Sequence, residues 1–200
     1  NPAQLNYGVA ITDIDGDGAF EAVVAGYGFS NHVFKWVNGA LQNVTPPALA
    51  DPHRQAIGVA AADIDADGQE EIYILNSDTY SGPKRFADRL FDCADGEWTD
   101  LFSLPVHRHV LNLTSGRSVA AIDRHGVGVY GFIVANYGGP LRLYELSEDG
   151  LLVDAAGAAA LDYTANARSL LAQPLLPARQ DIFPGNDNGP NFLFINNGDG

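Results

Sequence analysis

The sequence contains a single cysteine, Cys93, and no methionine. One cysteine excludes an intramolecular disulfide and a metal site built from cysteines alone. No apolar run approaches the roughly 18 residues that a membrane-spanning helix needs, so we expect no membrane insertion. The first residues show no signal-peptide pattern.

Basic residues are also few. The chain has 11 lysines and arginines against 25 aspartates and glutamates, which gives a formal net charge of −14. The electrostatic field of such a chain repels nucleic acid and anionic membranes. We therefore expect neither as a partner.

Turn-forming residues are abundant instead. The 200 residues include 22 glycines and 11 prolines, and 46% of the chain is hydrophobic. This composition is typical of a folded domain with many turns and few long helices.

One stretch of the sequence recurs along the chain. The segment "ITDIDGDGAFEAVVAG" (residues 11–26) returns as "AADIDADGQEEIYILN" (61–76), 50 residues later. Weaker copies are "RSVAAIDRHGVGVYGFIVAN" (117–136) and "RSLLAQPLLPARQDIFPGN" (168–186). The predicted repeats span approximately residues 6–50, 56–103, 115–155 and 167–200, the last one incomplete.

Each repeat has the pattern of short strands joined by tight turns. Apolar runs flank the acidic loop, and a third strand leads into Asn-Gly or Asp-Gly, the strongest short-range hairpin signal. A parallel solenoid has shorter repeats without such turns, whereas four antiparallel strands per repeat form a β-propeller blade. We predict an all-β fold, a β-propeller of four-stranded antiparallel blades. About four blades lie in this chain, as part of a larger propeller such as a seven-bladed one.

Three further segments carry predictions. Residues 76–88 are predicted to form an inserted surface loop. Strand alternation would place His107 and His109 on one face, either as a metal or acid–base pair or as exposed polar residues. Arg117 and Arg168 begin innermost strands, where they would face an anionic ligand in a central channel or pair with nearby acids.

The acidic loops do not match an EF-hand. An EF-hand loop requires a bidentate glutamate at its twelfth position. Counted from the first aspartate of each copy, that position holds Val24 or Ile74. The acid stands at the ninth position instead, as Glu21 or Glu71.

The pattern D-x-D-x-D-G-x-x-E predicts a calcium loop between two strands of a hairpin. Hard oxygen ligands without histidine or cysteine favour Ca²⁺ over Zn²⁺, and Mg²⁺ requires a tighter octahedron. The alternative is a solvated acidic turn without an ion. The predicted ligands are Asp13, Asp15, Asp17, the Ala19 carbonyl and Glu21 in the first loop, and Asp63, Asp65, Asp67, the Gln69 carbonyl and Glu71 in the second.

The third and fourth repeats lack this set of ligands. The corresponding positions hold Asp123, His125, Val127 and Gly131 in the third repeat and Gln173, Leu175, Pro177 and Asp181 in the fourth. Neither set can build the oxygen cage. We therefore predict two Ca²⁺ sites, and hairpins closed by apolar or glycine-rich packing in the other two repeats.

These motifs resemble a known repeat family. The loops "DIDGDGAFE" and "DIDADGQEE" resemble FG-GAP (VCBS-type) repeats, the calcium-bearing blades of the integrin α-subunit propeller. The segments "GNDNGPNFLFINNGDG" and "GRSVAAID" resemble more specifically the cartilage acidic protein (ASPIC/UnbV) family and its bacterial relatives. The resemblance implies a secreted, periplasmic or cell-surface protein that uses its propeller as a platform for binding.

Together these observations predict a calcium-binding module for interaction, adhesion or scaffolding rather than an enzyme. The calcium would be structural, no catalytic residue is assigned, and the partner would be a protein or a glycan. Candidate binding surfaces are the loops at residues 76–84, 136–140 and 186–190. The alternatives are a propeller-based polysaccharide lyase or hydrolase, and an architectural subunit that self-associates.

Overall fold

A computed structural model describes residues 3–176 and 179–198, and its regular structure is almost entirely antiparallel β-sheet. The first sheet contains β1 (Asn6–Thr12), β2 (Glu21–Gly26), β3 (His32–Val37) and β4 (Ala40–Asn43). The second contains β5 (Ala56–Ala62), β6 (Glu71–Asn76), β7 (Arg89–Ala94) and β8 (Glu97–Asp100). In both sheets the strands pair in chain order.

The third and fourth repeats share one larger sheet. The third contributes β9 (Gly116–Ile122), β10 (Gly131–Pro140), β11 (Arg142–Leu146) and β12 (Leu152–Asp154). The fourth contributes β13 (Thr164–Gln173) and β14 (Asp181–Asn186). The far end of β10 pairs with β13, and β13 pairs with β14. The predicted third strand of the fourth repeat is represented by a single bridge between Ile182 and Phe194.

The all-β prediction and its four-stranded antiparallel units are therefore confirmed for the first three repeats. The hairpin turns also lie where the sequence places them. Asn38 (φ 51°) and Asp95 (φ 53°) adopt the left-handed backbone conformation that a two-residue hairpin turn requires.

Helical structure is confined to short connections. These are α1 (Pro47–Ala50) and two 3₁₀ segments, Leu101–Ser103 and Pro105–Val110. None of the helices in the described ranges has the length and apolar character needed to cross a membrane.

The second sheet is buried on both faces. All six residues of β6, "EIYILN", are buried, and successive side chains of a strand point to opposite faces. Ile72 and Ile74 pack in the cluster shared with the first sheet, whereas Tyr73 and Leu75 pack in the cluster shared with the third repeat. The sheets consequently stack face to face, with the second sheet between its neighbours.

The first strands of successive repeats lie side by side. β1 contacts β5, β5 contacts β9, and β9 contacts β13. A close approach occurs at Gly8, where a Cβ atom would lie 2.7 Å from the Cα of Gly58 and 2.9 Å from the Val59 nitrogen. Only a residue without a side chain fits this position without moving backbone atoms.

The prediction that residues 76–88 form a surface loop is wrong for both ends of the segment. Asn76, Lys84 and Asp88 are buried, and Lys84 and Asp88 form an ion pair. Asp88 also accepts hydrogen bonds from the Tyr73 hydroxyl (2.7 Å), the Asn76 backbone nitrogen (2.8 Å) and Asn112 Nδ2 (2.8 Å). The insertion is thus attached to the core by a buried polar network, because a buried charge requires such partners.

Candidate metal centres

The first acidic loop joins β1 to β2 and is shaped by its own aspartates. Asp13 accepts hydrogen bonds from the backbone nitrogens of Asp17 (3.1 Å) and Gly18 (2.8 Å). Asp17 accepts one from the nitrogen of Ala19 (2.9 Å). Gly18 has φ 85°, in the left-handed region where glycine carries no steric penalty. This local bonding draws the loop carboxylates together.

The second loop, between β5 and β6, repeats this arrangement. Asp63 accepts hydrogen bonds from the nitrogens of Ala66 (2.7 Å) and Gly68 (3.0 Å). Asp67 accepts one from the nitrogen of Gln69 (2.7 Å). The two loops therefore share one backbone framework.

The glutamate at the ninth position is buried in both loops. Glu21 and Glu71 are 0% and 2% exposed. One carboxylate oxygen of each accepts the backbone N–H that follows the first aspartate, from Ile14 (3.0 Å) and Ile64 (2.7 Å) respectively. Each glutamate thus ties the start of the second strand to the loop.

A lysine ammonium lies among the carboxylates of the first loop. The Nζ atom of Lys35 is 2.6 Å from Asp15 Oδ2, 2.7 Å from Asp17 Oδ2 and 3.0 Å from Glu21 Oε1. The pairing of β2 with β3 places Lys35 directly opposite Glu21. The hydrogen bond from Lys35 lowers the pKa of Asp17. In turn, the hydrogen bonds to Asp15 and Asp17 raise the pKa of Lys35.

The second loop has an aspartate at the corresponding strand position. Ile72 pairs with Phe91, so Glu71, one residue earlier, faces Asp92. A cavity of about 120 Å³ is lined by Asp65, Glu71 and Asp92 together with His107, Gly150 and apolar residues. Acids therefore occupy both the loop and the strand that faces it.

This cluster is not neutralised within the described part of the chain. Burial, together with the charges of Asp65 and Asp92, raises the pKa of Glu71 to about 8, against the hydrogen bond from Ile64, which lowers it. Burial and the neighbouring carboxylates also raise the pKa values of Asp65 and Asp92. The second loop thus holds carboxylates that lack a counter-charge.

In a chelating buffer, the raised pKa of Glu71 predicts stability that falls as pH rises. The folded chain keeps the Glu71 proton up to a pH of about 8, whereas the ordinary pKa is 4.5. Between these values the folded state binds more protons than the unfolded state, so the free energy of unfolding decreases with pH. Urea unfolding at a series of pH values should show a shallower decrease for Glu71→Gln than for the wild type; equal slopes would contradict the assignment.

The structure brings together some, not all, of the predicted ligands. Within the described ranges, ligand atoms of three acids lie within 4.8 Å of one another at two places. These groups are Asp13, Asp15 and Asp17 in the first loop and Asp63, Asp65 and Glu71 in the second. Glu21 and Asp67 lie outside these tight groups, and the carbonyl ligands at Ala19 and Gln69 stay predictions.

The sequence predictions did not include Lys35 and Asp92. Both residues lie on the strand after the hairpin, outside the acidic loop that recurs most clearly between repeats. Alignment of "HVFKWV" (residues 32–37) with "RLFDCA" (89–94) puts Lys35 over Asp92 and would have revealed them.

In the third repeat, the hairpin turn contains Gly126 and Gly128, both with positive φ, and an ion pair also joins its loop to β11. Arg124 Nε lies 2.6 Å from Glu145 Oε1, and its Nη2 lies 2.9 Å from Oε2. Burial raises the pKa of Asp123, but hydrogen bonds from the Gly128, Val127 and Gly126 amides outweigh it and lower that pKa. Asp123 is thus satisfied by the backbone of its own loop.

In the fourth repeat, the only acid at a ligand position also serves the backbone. Asp181 accepts hydrogen bonds from the nitrogens of Leu176 (2.8 Å) and Asn196 (2.9 Å). Pro177, another of the compared positions, lies outside the described residues.

Neighbouring loops contact each other around the same end of the sheets. In each case a residue near the start of one repeat's second strand is linked to the loop of another repeat. The contacts are Gln69 Nε2 to Ile14 O (3.4 Å), Tyr130 N to Asp63 O (3.0 Å) and Asp123 N to Gln180 Oε1 (2.9 Å). The acidic loops thus form a connected row.

The prediction of strand alternation at His107 and His109 is wrong, because both lie in the 3₁₀ segment Pro105–Val110. His107 is buried, with Nδ1 2.8 Å from the Leu101 carbonyl, and its Nε2 accepts a hydrogen bond from the Leu152 nitrogen (3.2 Å). His109 is exposed. Both ring nitrogens of His107 are engaged by the backbone, so the two residues do not form a metal or acid–base pair.

Arg117 and Arg168 line one cleft of about 490 Å³, together with Tyr80. Their guanidinium carbons lie 4.9 Å and 5.7 Å from the centre of the Tyr80 ring. Arg168 also lies 3.3 Å from an oxygen of Asp187. Pairing with an acid, one of the two alternatives for these arginines, thus holds for Arg168.

Comparison with known sequences identifies the class of repeat. Residues 13–74, which contain both acidic loops, match the FG-GAP-like repeat family. The whole chain aligns with cartilage acidic protein 1 of Xenopus tropicalis at 48% identity and of Homo sapiens at 44%. The chain therefore contains an FG-GAP-like repeat and is similar over its whole length to cartilage acidic protein 1, and the resemblance seen in its motifs is confirmed.

The chain covers 35% of the Xenopus protein and 34% of the human one, so it spans about a third of these relatives. Among solved structures, BBS1N in complex with ARL6DN matches 97% of this chain and 62% of that chain, with 13% identity and a TM-score of 0.43.

Proposed function

We propose that this chain is a calcium-stabilised part of a β-propeller that serves as a non-catalytic interaction module outside the cytoplasm. The observation that carries the proposal is the second acidic loop, where Asp65, Glu71 and Asp92 line one small cavity and pair with no lysine or arginine among the described residues. Such a cluster favours a bound cation, because like charges raise one another's free energy in a buried site.

Calcium is the cation that best suits these ligands. The predicted set contains only carboxylate and carbonyl oxygens, which calcium accepts in larger numbers and with looser geometry than magnesium or zinc. Bound calcium would supply the missing positive charge and join the loop to the strands of its hairpin. Because protein oxygens provide the coordination, we propose a structural rather than a catalytic role.

The packing of the sheets supports the propeller. Four-stranded antiparallel sheets stack face to face, with their first strands side by side, which is the relation between propeller blades. Apolar side chains remain exposed on β1, among them Tyr7, Val9 and Ile11, and others on the fourth repeat, including Leu171 and Phe183. We propose that further blades of a larger propeller, such as a seven-bladed one, cover these faces.

The partner is proposed to be a protein or a glycan that binds beside the loop at residues 76–84. Tyr80 is 60% exposed there and lies against Arg117 and Arg168. Tyrosine and arginine are enriched in protein interfaces. His107 and His109 do not form the pair that would have favoured an enzyme, because backbone groups contact both ring nitrogens of His107.

A secreted, periplasmic or cell-surface location suits this role. Extracellular calcium modules bind with dissociation constants of about 10⁻⁴ to 10⁻³ M, so the calcium outside cells keeps them filled. The relation to cartilage acidic protein 1 also favours this location.

Calcium is expected to raise the thermal midpoint of the wild-type chain relative to a chelating buffer. At free calcium ten times the dissociation constant, one site stabilises the folded state by about 1.4 kcal/mol. Differential scanning calorimetry measures the shift of the thermal midpoint.

Arrays of glycans and peptides, probed in calcium, measure binding of the proposed partner. We expect Tyr80→Ala to lose array binding while it keeps the calcium-dependent shift of the midpoint.

Glu148→Ala is the matched control, since it removes an exposed carboxylate far along the sequence from both loops. It should keep the calcium shift and array binding. An unchanged midpoint in calcium would contradict the metal assignment. Array binding that survives Tyr80→Ala would contradict the proposed surface.

A further inference from the structure

We propose that the Lys35 ammonium takes the place of a metal ion in the first acidic loop. The second loop, with Asp92 added to its ligands, would then be the calcium site of the described chain. This inference rests on the proposed function, in which acidic loops of this type bind calcium. It changes the sequence prediction of two ions to one.

The first argument is the position of the ammonium. Lys35 Nζ contacts Asp15, Asp17 and Glu21 at 2.6 to 3.0 Å, and these are three of the predicted calcium ligands. Calcium would need the same oxygens at about 2.3 to 2.6 Å. Two cations within a few ångströms would repel strongly, so ammonium and metal are alternatives.

The second argument is the register of the strands. Lys35 on β3 faces Glu21, and the equivalent residue on β7, Asp92, faces Glu71. The loops themselves carry the same acids in the same backbone framework. The two repeats therefore differ at the one strand position that decides whether the hairpin contains a cation of its own.

The third argument comes from the third repeat, where the charges are exchanged. There the loop provides a cation, Arg124, and the strand provides the anion, Glu145. The register supports this equivalence, since Phe132 pairs with Tyr144, which places the next residues along the two strands, Gly131 and Glu145, opposite each other. The first and third hairpins each combine an acid and a base, whereas the second has acids in both places.

The fourth argument is the environment of Glu71. Its side chain is 2% exposed, and Ile64 donates to one carboxylate oxygen, while no donor among the described residues reaches the other. The cavity of about 120 Å³ beside it also holds Asp65 and Asp92. That volume has room for an ion with bound water, because one water occupies about 30 Å³ in the liquid.

The test is the number of calcium ions bound by the full chain and its variants. Isothermal titration calorimetry, with equilibrium dialysis and metal analysis as a second measurement, should give one ion for the wild type. Lys35→Asp, which copies the second hairpin into the first, should bind two. Asp92→Lys, which copies the first into the second, should bind none. Lys35→Gln removes the ammonium with less change of charge and should also gain a site.

Arg85→Asp is the control for net charge, since Arg85 is exposed and lies outside both loops; it should bind one ion. Circular dichroism in calcium establishes that each variant is folded. Two ions on the wild type, or one ion on folded Asp92→Lys, would overturn this inference and leave the proposed calcium function intact. No binding to the wild type would overturn the proposed function and the inference with it.

Discussion

Replacement of Asp88 by alanine is expected to lower the free energy of unfolding by about 3 to 5 kcal/mol, the cost of removing one partner of a buried ion pair. The substitution leaves the buried Lys84 ammonium without its carboxylate. It also removes the acceptor of the Tyr73 hydroxyl, the Asn76 amide and the Asn112 side chain. Each buried donor left unpaired adds to the loss.

Equilibrium unfolding in guanidinium chloride, with calcium present throughout, measures this effect. Glu148→Ala changes the net charge by the same amount at an exposed position and should stay within about 0.5 kcal/mol of the wild type. A loss of less than about 1 kcal/mol for Asp88→Ala would show that the network does not hold the insertion to the core.

Gly8→Ala is expected to cost about 2 to 3 kcal/mol, at the upper end of what overpacking usually costs. The new Cβ atom would lie 2.7 Å from the Gly58 Cα and 2.9 Å from the Val59 nitrogen. These are backbone atoms of the neighbouring strand, so no side-chain rotation can relieve the contact. The first and second sheets would have to move apart.

Gly157→Ala is the matched control for this substitution. A Cβ atom at Gly157 would meet only Asp162 Oδ2, at 3.8 Å, and its backbone is outside the left-handed region. There the change should be neutral or stabilising by up to about 1 kcal/mol, because alanine restricts the unfolded chain. Thermal unfolding of both variants should give shifts of the midpoint that differ in sign or differ greatly in size. Equal shifts would contradict the close packing of β1 on β5.

Much of the fold could be predicted from the sequence, because repetition makes each weak local signal visible several times. The alternating apolar runs around Asp13 and Asp63 and the turns at Asn38 and Asp95 place the strands correctly. The segment at His107 could not be placed in this way. It occurs once, and the proline before it begins a 3₁₀ turn rather than a strand.

The candidate site, like the fold, could be predicted only in part. Loop carboxylates follow one another in the sequence, so their proximity could be predicted. Lys35 and Asp92 reach the loops only through strand pairing, which brings together residues distant along the chain. Lys84 illustrates the same limit, since a charged residue in an inserted segment gives no sign of burial until its partner Asp88 is known.

The row of contacts between acidic loops has a consequence for how the chain unfolds. In repeat architectures, stability is the sum of each unit's own stability and the terms from its interfaces with neighbours. The Tyr130 amide bonded to the Asp63 carbonyl belongs to such an interface. A change in the second loop is therefore expected to alter the interface with the repeat after it, and an ion bound in that loop would stabilise both repeats.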